Sequence, residues 1–182
     1  MSDRCLALEI TASRFLSEQY RASFLTATFL VIWCGVYSSA SAADFIGKVV
    51  GVLDGDTIEI LHNGRAERVR LNGIDCPEKE QAFGKVAKQY TSTLVFGKDV
   101  TATPLGLDRY GRTIGEVTFS DGRSLNRELV RAGLAWWYRK YAPGDAVLQR
   151  LEAEAREVKR GLWADSSPIP PWEWRNAKRN RQ

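Results

Sequence analysis

The chain has 182 residues, 44% of them hydrophobic, which is enough for one domain with a substantial core. It contains a single histidine, so a Ser-His-Asp triad or a histidine-based nuclease would depend on His62 alone. Carboxylates and arginines are therefore the first groups to consider for chemistry. The formal net charge of +4 favours acidic partners such as nucleic acid, but only weakly.

The N-terminal segment 1–42 has the pattern of a secretory signal peptide. An apolar run, Phe24 to Tyr37, lies shortly after Arg21, and the small residues SSASAA follow the run. The alternative is an uncleaved membrane anchor, because residues 22–43 carry no charge. Cleavage would leave Cys76 as the one cysteine of the mature chain, without an internal disulfide. We therefore expect a secreted or periplasmic protein.

The pattern of the following residues predicts five strands and three α-helices. The strands are expected at 45–52, 57–61, 65–74, 100–107 and 113–119, and Asn63-Gly64 predicts a hairpin turn. The helices are expected at about 83–94, at 125–132, and after Asp145, where Leu148, Leu151, Ala155 and Val158 form an apolar stripe. Strands followed by helices favour an α+β fold with a small antiparallel barrel. The Pro-rich basic tail, 166–182, is expected to be an extended surface arm.

Three acidic residues are expected to converge at the end of the first hairpin. Asp56 precedes one arm, and Asp75 and Glu78 follow the other. Carboxylates that meet without a cationic neighbour repel each other, and a hard cation such as calcium or magnesium relieves that repulsion. The alternative is that the DGDT segment is only a turn and the IDCPE segment only a strand exit.

Two arginines strengthen the case for phosphate chemistry. Arg70 shares the strand that leads to Asp75, and Arg112 follows the turn 108–111. Guanidinium groups bind two phosphate oxygens at once, and a metal ion with a spare carboxylate completes the parts needed to hydrolyse a phosphodiester. Alternatively, both arginines only pair with surface acids.

The segments VLDGDTIEI, RVRLNGIDCPE, DRYGR, LNRELVRAGLAWW and GLW occur in the order and spacing of the staphylococcal nuclease (thermonuclease) family. The resemblance runs from about Phe45 to Trp163. It implies a five-stranded OB-fold β-barrel with three α-helices over residues 43–165. It also implies a calcium-dependent endonuclease of low sequence specificity that acts on DNA and RNA and leaves 3′-phosphate ends.

The same resemblance assigns the chemical roles. Asp56 and Asp75 are similar to the carboxylate ligands of Ca²⁺, and Cys76 occupies a position whose backbone carbonyl binds the ion. Glu78 resembles the residue that orients or deprotonates the attacking water. Arg70 and Arg112 resemble the arginines that clamp the phosphate during the reaction.

Three further residues resemble substrate-binding positions. Arg109 and Tyr110 match positions that hold a terminal phosphate, and Tyr141 matches a tyrosine that lines the nucleotide pocket. A second pocket tyrosine of the family is replaced here by Arg139, which leaves the substrate preference open. We expect a monomer with no stable protein partner.

Two other functions remain open at this stage. The barrel is alternatively a nucleic-acid-binding OB module without catalysis, although the presence of all five acids and arginines, Asp56, Arg70, Asp75, Glu78 and Arg112, argues against that. It is alternatively a membrane-anchored scaffold, if residues 24–37 are retained. Trp172 and Trp174, which alternate with basic residues in the tail, could serve nucleic-acid binding or simple packing against the barrel.

Overall fold

The computed structural model describes residues 43–181. Within this range the strands are β1 Phe45–Asp54, β2 Thr57–His62, β3 Arg65–Leu71, β4 Ile74–Asp75, β5 Asp99–Leu107, β6 Thr113–Thr118 and β7 Trp136–Trp137. The α-helices are α1 Gly84–Val95, α2 Leu125–Arg131, α3 Ala146–Glu157 and α4 Pro171–Arg179, with a short 3₁₀ helix at Gly161–Ala164. The signal-peptide prediction for residues 1–42 lies outside the described residues.

Five strands close into a barrel in the order β1-β2-β3-β6-β5. This arrangement confirms the α+β class and the OB-like barrel, but the expectation of all-antiparallel strands is wrong. The pair β3–β6 is parallel, with Val69 opposite Thr113 and Arg70 opposite Ile114. A closed ring with an odd number of strands cannot alternate direction all the way round, so at least one neighbouring pair must be parallel.

The β2–β3 hairpin sets the position of the acidic residues. Thr57 pairs with Arg70 and His62 with Arg65, and the turn residues Asn63 and Gly64 have φ angles of 50° and 76°. Positive φ at both central residues is what a two-residue hairpin turn of this kind requires. The predicted strand 65–74 is interrupted after Leu71, and its last residue, Ile74, forms β4 together with Asp75, which pairs with β7.

The hydrophobic core fills the barrel and the space between the barrel and the helices. Ile58, Ile60 and Val69 are fully buried inside the barrel. The α3 stripe is confirmed for Leu148, Leu151 and Ala155, whereas Val158 is 58% exposed because α3 ends at Glu157. None of the helices within residues 43–181 has the length and apolar character needed to cross a membrane.

The tail is not the extended arm that its composition suggested. Residues 171–179 form a fourth α-helix, α4, with Pro171 at its first position, where proline fits best. Trp172 stacks on the ring of Tyr138, with centroids 4.9 Å apart and planes 8° from parallel, and it meets Trp136 edge-on at 5.6 Å. The helix forms because its aromatic side chain docks on the domain, an interaction that the local composition does not predict.

Candidate active site

Asp56 and Arg70 are held together at one end of the barrel. The Asp56 carboxylate is buried, and its Oδ2 lies 2.8 Å from Nη1 of Arg70. The same oxygen accepts a hydrogen bond of 2.7 Å from the backbone N–H of Cys76. Gly55 lets the turn approach this closely, since a Cβ at that position would lie 2.8 Å from Cβ and Sγ of Cys76.

Asp75 is the most enclosed acid of the site, with a side chain only 1% exposed. It lies on β4, opposite Trp136 of β7. Arg70 Nη2 donates to its Oδ1 at 2.7 Å. Arg175 of α4 binds both oxygens, with Nη2 2.7 Å from Oδ2 and Nη1 3.2 Å from Oδ1. Each oxygen of Asp75 therefore accepts a hydrogen bond from an arginine.

Glu78 lies in the loop between β4 and α1, and its side chain is 40% exposed. Its Oε1 accepts a 2.7 Å hydrogen bond from Nη1 of Arg175. Its backbone N–H donates to Oε1 of Gln81 at 3.2 Å. Gly84 closes the loop, because a Cβ there would lie 1.9 Å from the carbonyl oxygen of Glu78. The loop thus presents Glu78 partly to solvent, with Arg175 on its inner side.

A fourth carboxylate, Asp54 at the end of β1, borders the same cluster. Its Oδ1 is buried and has no hydrogen-bond partner among the described residues. Burial, together with the charge of neighbouring Asp56, raises the pKa of Asp54 to about 6. Burial also raises the pKa of Asp75, although Arg175 and Arg70 partly offset that effect.

The electrostatic balance of the site differs from the sequence-based expectation. The repulsion considered from the sequence applies to carboxylates without a cationic neighbour, whereas here each of the three acids has an arginine partner. Arg70 bridges Asp56 and Asp75, and Arg175 bridges Asp75 and Glu78. The two charges of Asp56 and Asp75 make up for the burial of Arg70 and raise the pKa of its guanidinium.

The residues present fit a hard divalent cation, although not in their present pairing. Within residues 43–181, no three Asp, Glu, His or Cys side chains form a ready metal-binding group. However, the unpartnered buried oxygen of Asp54 and the oxygens of Asp56 and Asp75 are the donors that calcium or magnesium prefers. A cation at these oxygens would compete with Arg70 and Arg175.

Cys76 contributes no reactive thiol. Its side chain is buried, and burial raises the pKa of the thiol well above its ordinary value. This agrees with the expected role of its position, which depends on the backbone and not on the side chain.

Arg112, Arg109 and Tyr110 lie together in the turn between β5 and β6. Nε of Arg112 is 2.6 Å from Oδ2 of Asp108, whose Oδ1 accepts from the backbone of Tyr110 and Arg112. The guanidinium of Arg109 lies 4.7 Å from the centre of the exposed Tyr110 ring. Because β6 pairs with β3, this turn is next to the strand that carries Arg70. The structure therefore places Arg112 in a neighbouring turn, with Asp108 as its partner.

Tyr141 lies beside the docking surface of α4. Its ring is 60% exposed and meets Tyr138 edge-on, with centroids 4.8 Å apart. Tyr138 in turn stacks on Trp172. Arg139, at the position where the family has a second tyrosine, points to Glu152, with Nη2 3.1 Å from Oε2.

A groove of about 380 Å³ begins at Asp54 and follows one face of α1. Three lysines contribute to its walls, and its lining is Val52, Asp54, Lys79, Gly84, Lys85, Lys88, Gln89, Ser92 and Phe96. Lys85, Lys88 and Ser92 share a helix face because they are spaced by three and four residues. The groove therefore joins the acidic cluster to a positively charged surface.

Sequence reasoning missed the direct contact of Arg175 with two expected site residues, and it treated Asp54 only as part of a turn. For Asp54 the signal was its place in the DGDT segment. For Arg175 a partial signal was Pro170-Pro171 before an aromatic pair, which is compatible with a helix start. Nothing in the local pattern indicates that this helix places an arginine at the acidic cluster.

The described geometry agrees with what comparison with known proteins finds. The profile of the family described as Staphylococcal nuclease homologue matches residues 68–165. The chain belongs to this family.

Two bacterial relatives are similar over most of their length. An uncharacterized endonuclease of Escherichia coli O157:H7 is 51% identical over 136 residues, which are 75% of this chain and 88% of that protein. A micrococcal nuclease of Shigella flexneri is 44% identical, with coverage of 80% and 88%. The staphylococcal-like nuclease CAN1 of Arabidopsis thaliana is 41% identical over 62% of this chain and 34% of its own length.

Proposed function

We propose that this protein is a calcium-dependent endonuclease that hydrolyses phosphodiester bonds of DNA and RNA with low sequence specificity. The observation that carries the proposal is one cluster at the end of the barrel, in which Arg70 joins Asp56 to Asp75 and Arg175 joins Asp75 to Glu78. Family membership and the names of the bacterial relatives support a nuclease. The products would carry 3′-phosphate ends.

In this mechanism Glu78 acts on the attacking water, and two arginines act on the phosphate. Glu78, partly exposed at the rim, orients the attacking water or accepts its proton. The water oxygen bonds to phosphorus while the bond from phosphorus to the 5′ oxygen breaks. Arg70 and Arg112 donate hydrogen bonds to the non-bridging oxygens, on which negative charge accumulates.

Calcium is the metal that we propose for the site. Asp56 and Asp75 would hold it, together with the backbone carbonyl of Cys76, and Asp54 would face it from the groove side. When bound, the ion supplies positive charge that stabilises the charge-rich transition state. Both Nη atoms of Arg70 lie on carboxylates, so these contacts would have to loosen for Arg70 to bind a phosphate oxygen.

The surface around the site supports a nucleic-acid substrate read mainly through its backbone. Lys79, Lys85 and Lys88 line the groove beside Asp54. Such lysines bind phosphates without reading sequence. Arg109 and Tyr110 would hold a neighbouring phosphate, and the exposed ring of Tyr141 would pack against a base or sugar.

The test is digestion of single-stranded DNA and of RNA by the purified protein, with millimolar Ca²⁺ or with EGTA. We expect cleavage only with Ca²⁺, and a loss of about 10³-fold or more in Glu78→Gln. Analysis of the product ends should find 3′-phosphates. A folded wild-type protein that binds DNA but never cleaves it at any Ca²⁺ concentration would instead indicate a non-catalytic binding module.

We further propose that the protein is exported to the periplasm or the medium as a monomer, with residues 1–42 removed as a signal peptide. The apolar run 24–37 and the small residues after it support this proposal. N-terminal sequencing of the exported protein should begin near Ala43. A retained segment 24–37 would indicate a membrane anchor instead.

A further inference from the structure

We propose that Arg175, carried by the C-terminal helix α4, is a positioning residue of the active site that holds Glu78 in place and competes with the metal ion for Asp75. This inference rests on the proposed nuclease function. It adds the C-terminal helix to a site otherwise built from the barrel and its loops.

Arg175 binds two carboxylates at once, which distinguishes it from an arginine in a single surface ion pair. Its guanidinium is forked across both oxygens of Asp75, at 2.7 and 3.2 Å, and also reaches Oε1 of Glu78 at 2.7 Å. Asp75 is buried and the Arg175 side chain is 40% exposed, so the pair is shielded from solvent on the Asp75 side. A forked pair with a buried carboxylate fixes direction as well as distance. Among the described residues, no other basic side chain forms an ion pair with Glu78.

The helix that carries Arg175 is fixed to the same part of the domain. Trp172, three residues before Arg175, stacks on Tyr138 and meets Trp136 edge-on. Trp136 is paired with Asp75 across the β4–β7 ladder. The aromatic docking surface is therefore one strand away from the carboxylate that Arg175 binds.

The loop that presents Glu78 is also bound by this segment. Nε2 of Gln81 donates to the carbonyl of Ile169, just before α4, and Lys178 pairs with Glu80 at 2.8 Å. Arg175 and its neighbours thus contact the loop at residues 78, 80 and 81. Since the Glu78 side chain is partly exposed, its contacts with Arg175 and Gln81 restrict where its carboxylate can point, and the exposed pair of Lys178 and Glu80 adds little.

The same contacts oppose metal binding. A cation that binds Asp75 must share or displace the two hydrogen bonds from Arg175, and the positive charge of the guanidinium repels it. Removal of Arg175 should therefore have two effects of opposite sign. The protein should bind Ca²⁺ more tightly, while turnover should fall because Glu78 loses its partner.

The test compares Arg175→Gln with Arg179→Gln, a matched control. Arg179 lies on the same helix, is exposed, and its Nη2 contacts Asn176 of α4 itself. Calorimetry without substrate should give Ca²⁺ binding about tenfold tighter for Arg175→Gln. Its kcat at saturating Ca²⁺ should be about 10- to 100-fold lower, as for residues that position a ligand or base. Arg179→Gln should match wild type in both measurements.

Two further variants separate positioning from general damage. Arg175→Lys keeps the positive charge but cannot bind both oxygens of Asp75 with two parallel N–H groups. We therefore expect Ca²⁺ affinity near wild type and a kcat between those of wild type and Arg175→Gln. Trp172→Ala, which undocks α4, should lower kcat by about the same factor as Arg175→Gln, and the double variant should be no worse than either.

Whether the wild-type protein cleaves DNA distinguishes failure of the proposed nuclease function from failure of the proposal for Arg175. If wild type cleaves DNA and Arg175→Gln keeps its kcat, or lowers both kcat and Ca²⁺ affinity, the proposal for Arg175 is overturned while the nuclease function stands. If wild type itself does not cleave DNA, the proposed function fails. The tighter Ca²⁺ binding of Arg175→Gln would then still support the competition for Asp75, and unchanged binding would refute it.

Discussion

The barrel and the C-terminal segment both contribute side chains to the acidic site, but different interactions place them there. Arg70 pairs with Thr57 in the β2–β3 hairpin, and Asp56 directly precedes Thr57, so the register of the strands fixes the distance between Asp56 and Arg70. Arg175 comes from a helix that is held by Trp172 against Tyr138 and Trp136. Backbone pairing therefore places the first group, and aromatic packing between distant segments places the second.

The barrel residues and the C-terminal helix should respond differently to substitution. Residues fixed by strand register share the stability of the whole barrel. A docked terminal helix can leave its position while the rest of the fold remains intact, because few other interactions depend on it. We therefore expect changes in the barrel part to affect both chemistry and stability, and changes in the tail part to affect chemistry alone.

The largest expected effect belongs to the two arginines that we assign to the phosphate. Arg70→Ala and Arg112→Ala should each lower kcat/KM by about 10³-fold or more. Their stabilities should differ. Loss of Arg70 leaves buried Asp56 and Asp75 without their shared partner and should cost about 3 kcal/mol.

Arg112 pairs with Asp108 in a half-buried turn, and Asp108 keeps its backbone hydrogen bonds when the guanidinium is removed. Its loss should leave the urea midpoint almost unchanged. Activity assays and urea unfolding of Arg70→Ala and Arg112→Ala measure the two losses of kcat/KM and the two changes in stability. If Arg112→Ala stays folded and within tenfold of wild-type activity, the phosphate role assigned to it is wrong.

A second prediction concerns the buried charge of Asp54 in the metal-free protein. Because its pKa in the folded state is about 6, above the ordinary value, ionisation of Asp54 opposes folding. The resulting loss of folding stability is absent below about pH 4, grows as the pH rises to 6, and is constant above that.

Asp54→Asn should therefore stabilise the protein by about 2 kcal/mol at pH 8 in EGTA, and not at pH 4. Urea unfolding at the two pH values measures this gain. Excess Ca²⁺ should reduce it, since the cation relieves the same repulsion. An equal gain at both pH values would show that the ionised carboxylate is not its cause.

A third prediction addresses the basic groove along α1. Replacement of Lys79, Lys85 and Lys88 by Gln should raise KM for single-stranded DNA about tenfold at moderate salt, with kcat little changed. The slope of log affinity against log salt should fall by about 2, as expected for three lost phosphate contacts. A control variant with Arg150→Gln and Lys159→Gln, both exposed in or after α3, should keep the wild-type slope. An unchanged slope in the triple variant would remove the groove from the substrate path.

The smallest expected effect belongs to the exposed pair of Lys178 and Glu80, which also links α4 to the Glu78 loop. Solvent screens such pairs, so Lys178→Ala should leave the Tm and kcat close to wild type. A large loss of activity would mean that this ion pair, and not Trp172, docks the helix.

Most of the barrel and its acids could be predicted from the sequence because local signals determine them. Asn63-Gly64 fixed the hairpin, and alternation of apolar residues marked its strands, so Asp56 and Asp75 were expected to converge. The parallel pair β3–β6 was not expected, since it follows from closure of the whole ring and not from any one segment.

The part of the site that was not predicted depends on contacts between distant segments. The composition of residues 166–182 favours an extended arm, and α4 becomes helical where Trp172 packs on Tyr138. The contact of Arg175 with Asp75 joins residues 100 positions apart. The orphaned oxygen of Asp54 likewise results from burial that the sequence alone does not show.

The most direct test of one shared site is a double-variant cycle between Glu78 and Arg175, measured as kcat for single-stranded DNA at saturating Ca²⁺. If Arg175 acts through Glu78, then Glu78→Gln together with Arg175→Gln should be no slower than Glu78→Gln alone. If instead the two losses multiply, Arg175 acts independently of Glu78, and the account of a barrel base positioned by a C-terminal helix is contradicted.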